Sequence, residues 1–354
     1  MFKIILICAC VANLYAIDYQ FVIRRNVQDK YQGYQGDRTF DEIEFLQFEN
    51  ITSQQEFEDF LTNWSISVTP KPGYLYNYED KVGSVNAISF QNCSLEKIPK
   101  IFFSTFWNVK ILEMESVGIK TLDKSDFEFA RFLMYLNLAK NKITKLDEEL
   151  FSRNDMLIGL DFSRNEISSI HDQAFQMTSD NFTTLDLSSN PIKLNGNKFL
   201  QKLKVAKSFK RLIASSISLS SLSVDLFVEL EALEELHLTR NKISGLEYGV
   251  FSNQQNLKVL NFSNNAFSRI DFNILSSLST LETLDLSFNK FIYVKEYQRL
   301  KQFFPNLKYI GLEGNEMACD YLAEVKINLK LQGITIIRPN NPVRNRKNYM
   351  GIAC

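Results

Sequence analysis

Few side chains in this chain have the types and spacings that catalysis or metal binding needs. The two histidines, His171 and His237, lie far apart. Neither has a second ligand four residues on, nor a Cys or carboxylate cluster at metal-binding spacing. Neither the glycine-rich phosphate loop nor the dinucleotide fingerprint is present. The chain therefore reads as a non-enzyme, with no cofactor expected. Side chains suited to gripping another macromolecule do occur. Tyr135, Arg211 and His237 are one such set, and Tyr and Arg are enriched among residues that dominate interface energy. Asp161 and Asp186, with Glu113 and Glu115, add acidic character to the first half of the same face.

Those residues are positioned by a repeat. The stretch Leu133–Leu146, LMYLNLAKNKITKL, fits a frame L-x-x-L-x-L-x-x-N-x-I-x-x-L. The frame restarts at Val85, Val109, Leu133, Leu157, Phe182, Phe209, Leu233, Leu257, Leu281 and Leu307, with spacings of 24, 24, 24, 25, 27, 24, 24, 24 and 26. The L-x-L core alternates as a strand does, and the rest of each unit must return the chain to lay the next strand alongside. The central outward column reads Ser89, Glu113, Asn137, Asp161, Asp186, Ile213, His237, Asn261, Asp285 and Gly311. The column beside it carries Tyr135, Arg211 and Glu235.

Two inward columns support the register. An Asn column (Asn141, Asn165, Asn190, Asn241, Asn265, Asn289, Asn315) is expected to bond main-chain groups exposed where each strand turns. Cys93 stands in that column in the first repeat, Val117 and Ile217 break it, and Cys93 reads as a buried thiol rather than a nucleophile. A phenylalanine column (Phe103, Phe127, Phe151, Phe175, Phe199, Phe227, Phe251), completed by Leu275, is expected to pack behind the sheet.

A repeat of this length and pattern identifies the chain as similar to the leucine-rich repeat family. The resemblance covers Val85 to Cys354 and is to extracellular members, including, more weakly, short insect immune proteins. It implies an α/β leucine-rich repeat solenoid of about ten repeats, with a curved parallel sheet on its concave face and caps at both ends. It also implies a cysteine-containing C-terminal cap with a Cys319–Cys354 disulfide. That bridge would stabilise the cap by roughly 3–4 kcal/mol on the chain-entropy account. The expected organisation is a signal peptide at 1–16, an N-terminal capping region at 17–84, repeats at 85–318 and a C-terminal cap at 319–354. Before the repeats, Ser53 and Glu56 suggest a capping box. Phe57, Phe60, Leu61 and Trp64 then follow at helical spacing, and Gln28–Phe40 reads as a loop.

Address and partners follow from composition. Residues 1–16 combine Lys3, a short apolar run and a small residue at the end, which predicts an exported chain. No later segment is apolar enough to span a membrane. With 40 basic against 41 acidic residues, nucleic acid is not the expected partner. Three cysteines, Cys93, Cys319 and Cys354, remain after leader removal, an odd number. Five sequons, at Asn50, Asn63, Asn92, Asn181 and Asn261, are candidate glycan sites. The expectation is a secreted protein-binding chain, in innate immune recognition or as a scaffold. The alternative is a structural or adhesive role through self-association or matrix contacts.

Overall fold

The structure, a computed structural model, describes residues 21–25, 44–67, 85–176, 180–194, 198–201, 207–337, 348–349 and 352–353. The expected leader, the loop at 28–40 and Cys354 lie outside them. The chain forms two compact units, Met1–Phe182 and Thr183–Cys354.

In the first unit, strands β1 (Phe21–Arg25), β2 (Glu44–Glu49), β3 (Val85–Gln91), β4 (Ile111–Glu113), β5 (Tyr135–Asn137) and β7 (Gly159–Asp161) lie side by side in that order. β1 is antiparallel to β2, and the pairings from β2 onward are parallel. Parallel pairing thus begins one strand before the first frame match, at β2, which contributes buried Leu46 and Phe48. A second, two-stranded sheet joins β6 (Lys145–Leu146) to β8 (Ser169–Ile170) in the return segments. Helix α1 (Gln54–Ser67) opens as its sequence predicts, with Glu56 N–H donating to Ser53 Oγ at 3.3 Å. Phe57 and Leu61 are fully buried. The Phe57 ring meets Phe48 edge-on at 5.2 Å and Phe90 at 5.7 Å, so α1 covers apolar surface of β2 and β3.

In the second unit, β9 (Thr184–Asp186), β10 (Arg211–Ile213), β11 (Glu235–His237), β12 (Val259–Asn261), β13 (Thr283–Asp285), β14 (Tyr309–Gly311) and β15 (Thr335–Ile336) form a parallel array. Helix α2 (Cys319–Leu331) connects β14 to β15 and buries Leu322, Val325 and Leu329. β15 extends the array past the last frame match, in the apolar run beginning at Ile334.

The strands are short because only the L-x-L core needs extended backbone. Its middle leucines stack strand on strand, Leu112 on Leu136 and Leu160, and Leu212 on Leu236, Leu260 and Leu284. Each is at most 2% exposed. One unit alone could not enclose them, which is why the fold needs repetition. Behind the sheet, the phenylalanine column is buried throughout the described repeats. Ring centroids lie 6.0 Å apart for Phe103–Phe127, 4.9 Å for Phe127–Phe151 and 5.9 Å for Phe227–Phe251.

Each strand ends in a turn with a fixed recipe. The residue before each column Asn takes a left-handed conformation, as at Lys140 (φ 56°), Arg240 (φ 56°) and Phe288 (φ 54°). The Asn then stitches the turn. Asn141 Oδ1 accepts from the N–H groups of Val117, Gly118 and Ile119 at 3.1, 2.7 and 3.0 Å. Its Nδ2 donates to Met114 O at 2.7 Å and Leu138 O at 3.0 Å. Asn241 does the same from the next repeat for Ile217, where the column is broken. Cys93 fills its column position as expected: it is buried, outside any disulfide, and its thiol donates to Gln91 O at 3.3 Å. At Gly314 (φ 67°) the left-handed position holds a glycine for a second reason. A Cβ there would lie 2.3 Å from the Phe288 ring.

One buried acid makes stability depend on pH. Asp126, 5% exposed, accepts the Asp123 N–H at 2.8 Å in the return segment. Burial outweighs that bond and raises its pKa from 3.8 to about 6. The folded state therefore holds the proton more tightly than the unfolded chain. That stability is present below pH ~4, is lost as pH rises to ~6, and stays lost above it. Asp126→Asn keeps an acceptor for Asp123 N–H without the charge. Thermal melts should show the variant more stable than the native chain at pH 8, by about 3 kcal/mol, and the two converging near pH 4. Parallel pH curves for the two proteins would contradict this assignment.

Candidate functional site

The outward face of each array is where side chains vary. Strand registry places the two expected columns as the frame requires. Ser89, Glu113, Asn137 and Asp161 align in the first unit. Asp186, Ile213, His237, Asn261, Asp285 and Gly311 align in the second. Tyr135 and Asp161 belong to the first unit, both half-buried. Asp186, Arg211 and His237 belong to the second and are also half-buried.

Within the second unit Arg211, Glu235 and His237 converge. Arg211 Nε lies 3.2 Å from Glu235 Oε2, and His237 Nε2 lies 3.3 Å from the same oxygen. The His237 ring, more than the Arg211 guanidinium, holds the Glu235 carboxyl below its usual range. Arg211 Nε is close to Glu235 yet off the line of a hydrogen bond, which leaves it buried with no aligned acceptor. Nε is enclosed, but the Arg211 side chain as a whole is 38% exposed, so its neighbour orients it while part of the guanidinium stays open to an incoming acceptor. Glu235 itself was not among the expected binding residues.

The central column also does local work that its residue types alone did not reveal. Asn137, Asp161, Asp186, Asn261 and Asp285 each use Oδ1 to accept the N–H two residues on, at 2.8–3.0 Å. Asx side chains favour such turns. Asp161 and Asp186 therefore each commit one carboxylate oxygen to the chain. For all but Asn137, which precedes Ala139, the signal was in the sequence as an Asx-x-Ser pattern repeated at the strand ends.

Beside these columns runs an alternating charge ladder. Glu234 pairs with Lys210 at 3.1 Å and Lys258 at 2.6 Å, and Glu282 pairs with Lys308 at 2.9 Å. Burial acts to raise the Glu234 carboxyl, but hydrogen bonds from the two lysines outweigh it and hold the pKa below the usual value. All three lysines are more than half exposed, so each pair adds little to stability. Its consequence is a surface of alternating sign that disfavours strongly charged partners.

The other expected positions fall as follows. His171 is exposed in a return segment of the first unit and accepts from Gln173 N–H at 3.3 Å. Asn50 and Asn92 are exposed in left-handed turns. Asn181 is half-buried, Asn63 lies in α1, and Asn261 sits within β12 with Oδ1 accepting from Thr239 Oγ1 at 2.8 Å. Cys319 is disulfide-bonded, and its expected partner, Cys354, lies outside the described residues. A cavity of about 280 Å³ opens near Lys124, Glu128, Arg153 and Asn154. Its cations are already neutralised, Lys124 by Glu149 and Arg153 by Glu128. Among the described residues no group of three or more His, Cys, Asp or Glu side chains could hold a metal ion, and no helix is long and apolar enough to cross a membrane.

The model of the leucine rich repeat family matches residues 131–192 and 231–291. The fold is that of leucine-rich repeat domains. The family is generally non-enzymatic, and the match is to no catalytic family. No curated protein sequence matches the chain significantly. Among solved structures, it is similar to a chain of the Toll–Spatzle complex from Drosophila, at 20% identity and a TM-score of 0.56, over 73% of this chain and 38% of that one. The chain thus spans well under half of that relative's length. It is also similar to a chain of an octameric complex of Latrophilin 3, Unc5D and FLRT2, the last a leucine-rich repeat component. There the identity is 20% and the TM-score 0.55, over 77% of this chain and 83% of that one. The APL1 leucine-rich repeat domain aligns at 18% identity and a TM-score of 0.48, over 76% and 75%. At 20% identity the likeness to the first two speaks to the fold alone.

Proposed function

We propose that this leucine-rich repeat protein is an exported recognition protein that binds another protein through the outward face of its strands. The observation that carries the reading is the Arg211–Glu235–His237 cluster. It places a half-buried guanidinium and an imidazole on rigid strands, held by a shared carboxylate and open to an acceptor on a partner. Tyr135 and Asp161 supply a second contact set on the first unit. The leader-like start of the sequence supports export, and the two exposed sequons at Asn50 and Asn92 are accessible to glycosylation. The relatives named above include a Toll complex described as a hub of development and innate immunity. Immune recognition is the setting proposed here on that likeness.

The test is capture from native extracellular fluid by the mature chain from Ile17, in parallel with a Tyr135→Ala, Arg211→Ala double variant. One protein should be enriched by the native chain and reduced at least about tenfold by the variant, as loss of an interface anchor would produce. Self-association with no captured partner would favour a structural or adhesive role instead.

A further inference from the structure

We propose that Asp285, Ser287 and Glu313 bind a divalent cation of the calcium class on the outward face of the second unit. Glu313 is 1% exposed, and its Oε1 has no hydrogen-bond donor. A buried carboxyl oxygen in that state is costly unless something supplies a donor or a positive charge. Glu313 occupies the frame position held by Thr239, Ser263 and Ser287 in the preceding repeats. At that position the side chains lie on the face: Thr239 Oγ1 is 2.8 Å from both Ser263 Oγ and Asn261 Oδ1.

The neighbouring strand brings a second acid toward it. Asp285 pairs across the sheet with Gly311. A Cβ at Gly311 would lie 1.9 Å from Asp285 Oδ1 and 2.5 Å from Ser287 Oγ. The missing side chain is what lets both oxygens lean onto β14, the strand that leads directly to Glu313. Burial, and then the Asp285 charge, push the Glu313 carboxyl above its usual range. Two acids thus share this end of the face, and Glu313 Oε1 has no donor. The preceding repeats of the second unit avoid this conflict by placing Ser188, Ser215, Thr239, Ser263 or Ser287 where Glu313 stands.

Two carboxylates and a hydroxyl are hard oxygen ligands, which suits calcium over transition metals. So few charged ligands place the affinity in the weak range of extracellular modules, with Kd about 0.1–1 mM. The site does not depend on the proposed protein partner.

Calorimetric titration of the full chain with calcium chloride, with thermal melts in calcium and in chelator, tests it. The native chain should bind one calcium in that range, and its Tm should rise with calcium. Glu313→Gln and Asp285→Asn should each weaken binding about tenfold or more. Asp285→Asn keeps an acceptor for Ser287 N–H, so the turn survives. Absence of binding at about 10 mM calcium, or equal binding by both variants, overturns the site. So does a Tm that rises on acidification with no response to calcium, because the acids would then be sharing a proton.

Discussion

Phe151→Ala is expected to lower unfolding free energy by about 3–5 kcal/mol, the range for removing a large aromatic from a packed core. Phe151 is fully buried, with ring centroids 4.9 Å from Phe127, 6.2 Å from Phe162 and 6.5 Å from Phe175. Its loss opens a cavity facing both adjacent repeats. A repeat that contacts only its neighbours cannot spread that strain over a large core. Chemical denaturation should show the loss as a lower midpoint. Native-state hydrogen exchange should show it first in the amides of β5 and β7. A variant as stable as the native chain would mean the phenylalanine column is loosely packed.

Asn141→Ala should cost a similar amount for a different reason. It removes the acceptor for three N–H groups and the donor for three carbonyls in one step. Stranded buried groups cost about 1–3 kcal/mol each, and partial relaxation brings the expected total to about 3–5 kcal/mol. Asn141→Asp should recover part of the loss, because the carboxylate still accepts while the donor is gone. Equilibrium unfolding of the three proteins orders them native, Asp, Ala. Equal stability of Asp and Ala variants would show that the acceptor side of the amide contributes nothing.

These large effects sit where the sequence was most readable. A leucine every two or three residues and an asparagine at a fixed offset are repeated constraints, and each repeat restates the same geometry. Position in the frame therefore gave strand registry, the buried role of Cys93 and the phenylalanine column directly. The binding face was less legible. Its side chains differ from repeat to repeat, so the frame says where Arg211 and His237 point but not that Glu235 links them. Asp161 and Asp186 looked like plain acidic surface, though one oxygen of each closes a turn. A second buried amide column escaped the reading. Asn154 Nδ2 and Gln254 Nε2 each donate to two carbonyls of the preceding return segment. Two different residue types do that job, so no single-letter column marks it. Glu313 shows the same limit: only its burial and the empty position of Gly311's side chain reveal the conflict with Asp285.

The claim that the outward strand face binds the partner is tested most directly by affinity. The captured protein should be titrated against the native chain, against Arg211→Ala, and against Tyr248→Ala. Tyr248 is 68% exposed and lies in a return segment, off the strands. Weakening by about tenfold or more for Arg211→Ala, roughly 1.4 kcal/mol, with Tyr248→Ala unchanged, is the predicted result. Loss of binding in Tyr248→Ala with Arg211→Ala intact would place the interface on the opposite side and contradict the account.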